Sequence, residues 1–219
     1  GTATDGISVI GPSNTVELSN VFIGDHNFAA TAPTATGVDV STGATVTLDE
    51  SRITGGTADG VNTGSGAVTI TDSFIENNND DANNDADGVD TRSASNDVEI
   101  SNTSIAGNDI GVDAQAAAGK YELLIDDTSE IDANSVIVDS SDINLTVTEA
   151  TVANVTGDTA GIQINAAGSG SVINQTTFES NDVSLALANG AGVAGDLTVD
   201  NNDFSGTGDG DAIENNDAE

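Results

Sequence analysis

The feature that most restricts this chain is a recurring register: a small or acidic residue, then glycine, then alternating apolar positions. It reads DGISV from Asp5, TGVDV from Thr36, DGVNT from Asp59, DGVDT from Asp87, IGVDA from Ile110 and AGIQI from Ala160. Degenerate versions follow as SVIVD from Ser135, DVSLA from Asp182 and DAIEN from Asp211. Successive starts lie about 21 to 31 residues apart, the period of a solenoid or repeat array. Each unit carries a second alternating run, such as ATVTLDESRI from Ala44, AVTITDSFI from Ala67 or DVEISNTSI from Asp97. Alternation over four to six positions marks a half-buried strand. Val46, Leu48 and Ile53 then face one way, and Thr45, Thr47 and Asp49 the other. Between runs stand Gly, Asn, Asp and Ser, which accept tight turns and positive φ.

An antiparallel sandwich also supplies many short strands, but its strands need not recur as equivalent units at one long period. Repeats with two or three short strands each predict an all-β, right-handed parallel β-helix (β-solenoid) of about 8–9 coils. Residues 1–219 read as one such domain, with longer loops near 24–36 and 77–87. After the residue closing each second run, Asn recurs three positions on: Phe74 to Asn77, Ile105 to Asn108, Ile131 to Asn134 and Phe178 to Asn181. Stacked coils turn such a recurrence into an amide ladder.

Charge narrows the partners. The chain has 37 acidic residues against three basic ones, Arg52, Arg92 and Lys120, for a net charge of −34. Replacing counterions on nucleic acid takes clusters of Lys and Arg, so nucleic acid is excluded. Anionic lipid repels such a surface, and no apolar run is long enough to span a membrane. Self-repulsion on this scale is relieved by salt, which points to a halophilic or marine setting. There is no cysteine or methionine, so stability comes from stacking and not from disulfides. The start at Gly1 suggests a processed chain or an excised domain.

Units such as DGVNTGSGAVTITDSFIENN and GIQINAAGSGSVINQTTFESN resemble the right-handed parallel β-helix repeat of the pectate-lyase-like superfamily. The resemblance runs from Asp5 to about Asn215. That scaffold carries polysaccharide lyases and hydrolases, surface adhesins and non-enzymatic secreted proteins, so it implies a fold more than a function. The enzymes of that superfamily need basic residues beside a calcium, or carboxylates with a His and a basic clamp. Arg52, Arg92 and His26 are scattered across separate units and assemble neither set, so no catalytic residue is expected.

The local candidate is a cation site in the acidic insertion NNNDDANNDADGVD. Asn83, Asp85, Asp87 and Gly88 place an oxygen ligand at every second residue before a glycine turn, with Asp90 adding another, as in a calcium loop. Ala94 stands where the bidentate Glu would be. A cofactor is not required on this reading, and calcium is the candidate. His26, in GDHNFAATAPTAT, reads as a loop residue. Sequons at Asn102, Asn144, Asn154 and Asn174 permit glycosylation where the host performs it. Outward Thr45 and Thr47, with Thr69 and Thr71 as their expected equivalents, suggest a threonine ladder that carboxylates interrupt at Asp97 and Glu99.

No capping element is legible, and the tail GDGDAIENNDAE opens one more coil register. The expected function is therefore that of an extracellular or cell-surface structural protein. Its preferred form is a subunit stacking head-to-tail into a homopolymeric filament. The alternative is a monomeric adhesin or carbohydrate-binding module of a larger surface protein.

Overall fold

The computed structural model describes residues 5–24, 36–78, 86–91, 96–114, 121–140, 142–156, 160–187, 197–206 and 212–215. Among these every regular element is a strand, and all strand pairs are parallel. They form three sheets. Sheet A has nine strands, from Ile7–Ile10 to Ile213–Asn215; sheet B has eight, from Thr15–Ser19 to Thr198–Asp200; sheet C has eight, from Phe22–Gly24 to Asp203–Gly206. The chain visits A, B and C in turn and then repeats, so each strand pairs with its equivalent one turn earlier and later. The fold is a parallel β-solenoid. No helix among the described residues is long and apolar enough to cross a membrane.

The regular, fully buried part amounts to about six turns, somewhat fewer than the 8–9 coils expected. It starts with strand Val38–Ser41 and runs through strand Thr177–Glu179, where inward residues are covered from both sides. The terminal coils keep the register but have one neighbour. Their inward residues Ile7, Val16, Leu18 and Ile23 at one end, and Leu187, Leu197, Val199 and Phe204 at the other, stay only partly buried. The core is a set of columns. Val46, Val68, Val98, Leu123 and Leu145 form one; Ile53, Ile75, Ile105, Ile131, Val152 and Phe178 form another. All of them are at most 2 % exposed. The second column ends in Phe204, whose ring stacks on Phe178 at 4.8 Å between centroids, the spacing of the strands themselves.

The glycine of the repeat has a steric cause. A Cβ on Gly6, Gly37, Gly60 or Gly88 would sit 2.5 to 2.7 Å from the carbonyl oxygen of the equivalent glycine in the next coil. At these four positions a side chain would force the coils apart, whereas further along the stack, where the approach opens to 2.9–3.0 Å, Ser135 and Ser184 take the equivalent place. The corner from sheet B to sheet C is made differently, by a residue with positive φ: Asn20, Glu50, Asp72, Asn102, Glu149, Gln175 and Asn201. The next residue is small and hydroxylic in most coils, and it closes the backbone of the coil before it. Ser51 Oγ accepts from the Val21 amide and Ser73 Oγ from the Ser51 amide, both at 3.1 Å; Ser129 Oγ accepts from the Thr103 amide at 3.3 Å.

Two sequence registers need correction. Phe74 is 51 % exposed and Ile75 fully buried, so the inward residue of that coil is Ile75 and the ladder position is Asn78, not Asn77. Asn78, Asn108, Asn134 and Asn181 are all buried. Asn78 and Asn108 each donate through Nδ2 to the Oδ1 of the next ladder residue, at 2.9 and 3.2 Å. On sheet B, Thr47 pairs with Thr69 and then Glu99, while Thr45 pairs with Ala67. The threonine rows are thus shifted by one outward position from the expected alignment and remain interrupted.

Candidate cation site

The outer face of sheet A carries one residue per coil between two inward ones. Strand pairing puts Asp39, Asn62, Asp90 and Asp113 side by side on successive coils. Three positions before Asn62 and Asp90 the chain enters the sheet through Asp59-Gly60 and Asp87-Gly88. The glycine contact brings these entries within one strand spacing, so Asp59 lies beside Asp87. The side chains of Asp59, Asp87 and Asp90 converge, each offering an oxygen within 4.8 Å of the other two. They are 6 %, 1 % and 6 % exposed.

Hydrogen bonds fix this arrangement. Asp59 Oδ1 accepts the backbone amide of Asp87 at 3.1 Å, one coil above. Asn62 Nδ2 donates to Asp59 Oδ2 at 3.3 Å and to Asp90 Oδ2 at 3.2 Å, so one amide ties two carboxylates on adjacent coils. Asn62 is itself aimed by Oδ1, which accepts from the Gly64 amide at 2.9 Å. The capping role recurs elsewhere: Asp5 Oδ1 accepts the Thr36 amide, and Asp109 Oδ2 accepts the Ala86 amide, both at 3.3 Å. Part of this acidic wall is therefore backbone capping.

The three side chains are also nearly fully buried, and carboxylates gathered out of water repel one another unless hydrogen bonds or counter-charge compensate them. Arg52 lies elsewhere, on sheet C, where its Nη2 is 3.0 Å from Glu76 Oε2. The same outward row shows the cost one coil away. Asp39 has its carboxyl raised above the ordinary range, chiefly by burial and then by Asp5, with the Ser8 hydroxyl pulling the other way. Oxygens that share one calcium lie 2.3–2.6 Å from it and so within about 5 Å of each other. Asp59, Asp87 and Asp90 meet that condition, and they would tie two neighbouring coils together.

Of the four residues expected as ligands, Asp87 and Asp90 are brought together. Asn83 and Asp85 lie outside the described residues, as do His26, Arg92, Ala94 and Lys120. Asp59 was not among the expected ligands. Its signal was the repeat, because DGVNT at Asp59 and DGVDT at Asp87 are the same register, and a solenoid stacks equivalent positions. Comparison with known proteins returns no matching family, no matching curated protein and no matching solved structure.

Proposed function

We propose that this chain is a non-enzymatic structural protein of the cell exterior that associates end to end through its terminal coils. The observation that carries the reading is the open face of the first coil. Ile7 and Val16 line a hollow of about 720 Å³ there, and they, with Leu18 and Ile23, stay only partly buried. In every interior coil the equivalent inward positions are covered by another coil of the same register, and a second copy offers that cover. The core suits an oxidising exterior, since the chain has no cysteine or methionine to oxidise.

Among the described residues sheet A reaches one strand further than sheets B and C, at Ile213–Asn215. Calcium between Asp59, Asp87 and Asp90 belongs to the same reading, as a clamp between coils in a chain without disulfides.

Sedimentation velocity with electron microscopy, over a range of protein concentration in strong salt, tests the proposal. Oligomers or fibres whose population rises with concentration, and falls on Val16→Asp, support it. A monomer at every concentration and salt would sink it.

A further inference from the structure

The outer face of sheet C presents a different chemistry. Its first outward row runs Phe22, Arg52, Phe74, Ser104 and Glu130 on successive strands. Phe74 is 51 % exposed although Ile75 beside it is fully buried, so the ring stands outside the core by register. It forms one wall of a groove of about 250 Å³ completed by Asp72, Asn102, Ser104, Thr128 and Glu130. Asn102 bridges the groove, donating through Nδ2 to Asp72 Oδ1 and accepting at Oδ1 from Thr128 Oγ1 at 3.0 Å. These bonds consume donors. What the groove keeps for a visitor is an aromatic face, the second oxygen of Asp72, the carboxylate of Glu130 and the Ser104 hydroxyl, whose oxygen can accept as well.

A ring face attracts a cation, most strongly one that sheds its water readily, such as an organic ammonium. Two carboxylates beside the ring supply the counter-charge, and the chain's charge of −34 raises the local concentration of any cation. Anions are repelled by the same rim. We propose that this groove binds an organic ammonium group, seated against the Phe74 ring between Asp72 and Glu130. The chemical class is an aliphatic polyamine or another amine-bearing ligand. The site is independent of end-to-end association and of the carboxylates on sheet A.

The competing explanation is unspecific attraction to an acidic surface, and Phe74 separates the two because it carries no charge. Calorimetric titration of the full chain with spermine in low salt is the experiment. The expected result is saturable binding that Phe74→Ala weakens about five- to tenfold, the size of a partly desolvated cation–π contact. Phe74→Tyr should retain it. Glu130→Gln should weaken binding well beyond Glu17→Gln, which removes the same charge from the outer face of sheet B. An unchanged melting temperature in Phe74→Ala, whose ring lies outside the core, establishes that the fold is intact. Equal affinity in Phe74→Ala, equal losses in Glu130→Gln and Glu17→Gln, or no saturable binding each overturn the proposal.

Discussion

Tyr121, the only tyrosine, is a built-in reporter at the scale of single residues. It is 4 % exposed, and its hydroxyl lies 2.8 Å from Thr91 Oγ1. Burial pushes its pKa up to about 12; Asp90 and Asp113 add to the rise and the Thr91 hydrogen bond opposes it. An acid whose folded pKa exceeds its unfolded value costs the fold nothing while protonated in both states. Stability then falls as pH climbs from about 10, the unfolded value, and the loss is complete above about 12. Phenolate absorbance of the native chain should therefore stay low near pH 11, and urea at that pH should release it. A native titration midpoint near 10 would show the ring to be solvated. Asp39 obeys the same rule at the acid end. Its folded pKa is raised, so ionisation opposes folding above the folded value and is without effect below about 4. Asp39→Asn should raise the melting temperature at pH 7, and the gain should vanish near pH 3.

At the scale of elements, strands and ladders carry the load. Asn108 Oδ1 accepts the backbone amide of Asn78 at 3.0 Å and Asn78 Nδ2 at 2.9 Å, while its Nδ2 donates to Ile75 O at 3.1 Å and Asn134 Oδ1 at 3.2 Å. Asn108→Leu leaves those partners buried and unsatisfied, and should cost about 2–4 kcal/mol in chemical denaturation. Asn77→Gly, at the exposed neighbouring position of positive φ, should cost far less than that. This ladder shows how much of the fold could be read beforehand. The three-residue offset from plug to Asn was visible, and so was the Gly register, because both follow from coils stacked at one fixed spacing. Phe74 misled because a phenylalanine beside an isoleucine looks like the core residue, and only the pairing of Phe74 with Ser104 and Arg52 places it outside. The B-to-C corner was half legible. Asn and Asp tolerate positive φ locally, but Glu50, Glu149 and Gln175 adopt it because the stack imposes it. The carboxylate cluster was only partly legible for a similar reason: a loop template gathers residues within one segment, whereas Asp59 arrives from the previous coil. Calcium should raise the melting temperature of the wild-type chain, and Asp59→Asn should abolish most of that gain; an identical rise in the variant would remove this site from the account.

For the whole molecule, the question is how a solenoid of net charge −34 stays folded and, on the function proposed above, would meet another copy of itself. Hydrophobic columns supply cohesion that scarcely depends on low salt, while the charges repel over a distance that salt sets. The screening length is about 10 Å at 0.1 M and about 3 Å at 1 M, close to the 4.8 Å step between coils only in strong salt. Repulsion between neighbouring coils thus persists in dilute buffer and fades near molar salt. The end faces feel it most, since their inward residues are covered from one side only. Two transitions should therefore separate on adding sodium chloride. The melting temperature should climb steeply up to about 1 M and flatten beyond it, and oligomers should appear mainly above that point. Because screening is unspecific, sodium and potassium should act alike in melting, whereas the calcium effect should saturate at far lower concentration and depend on Asp59. A melting temperature indifferent to salt would mean that the carboxylates are neutralised inside the fold, by protons or tightly held ions, and that self-repulsion does not govern assembly.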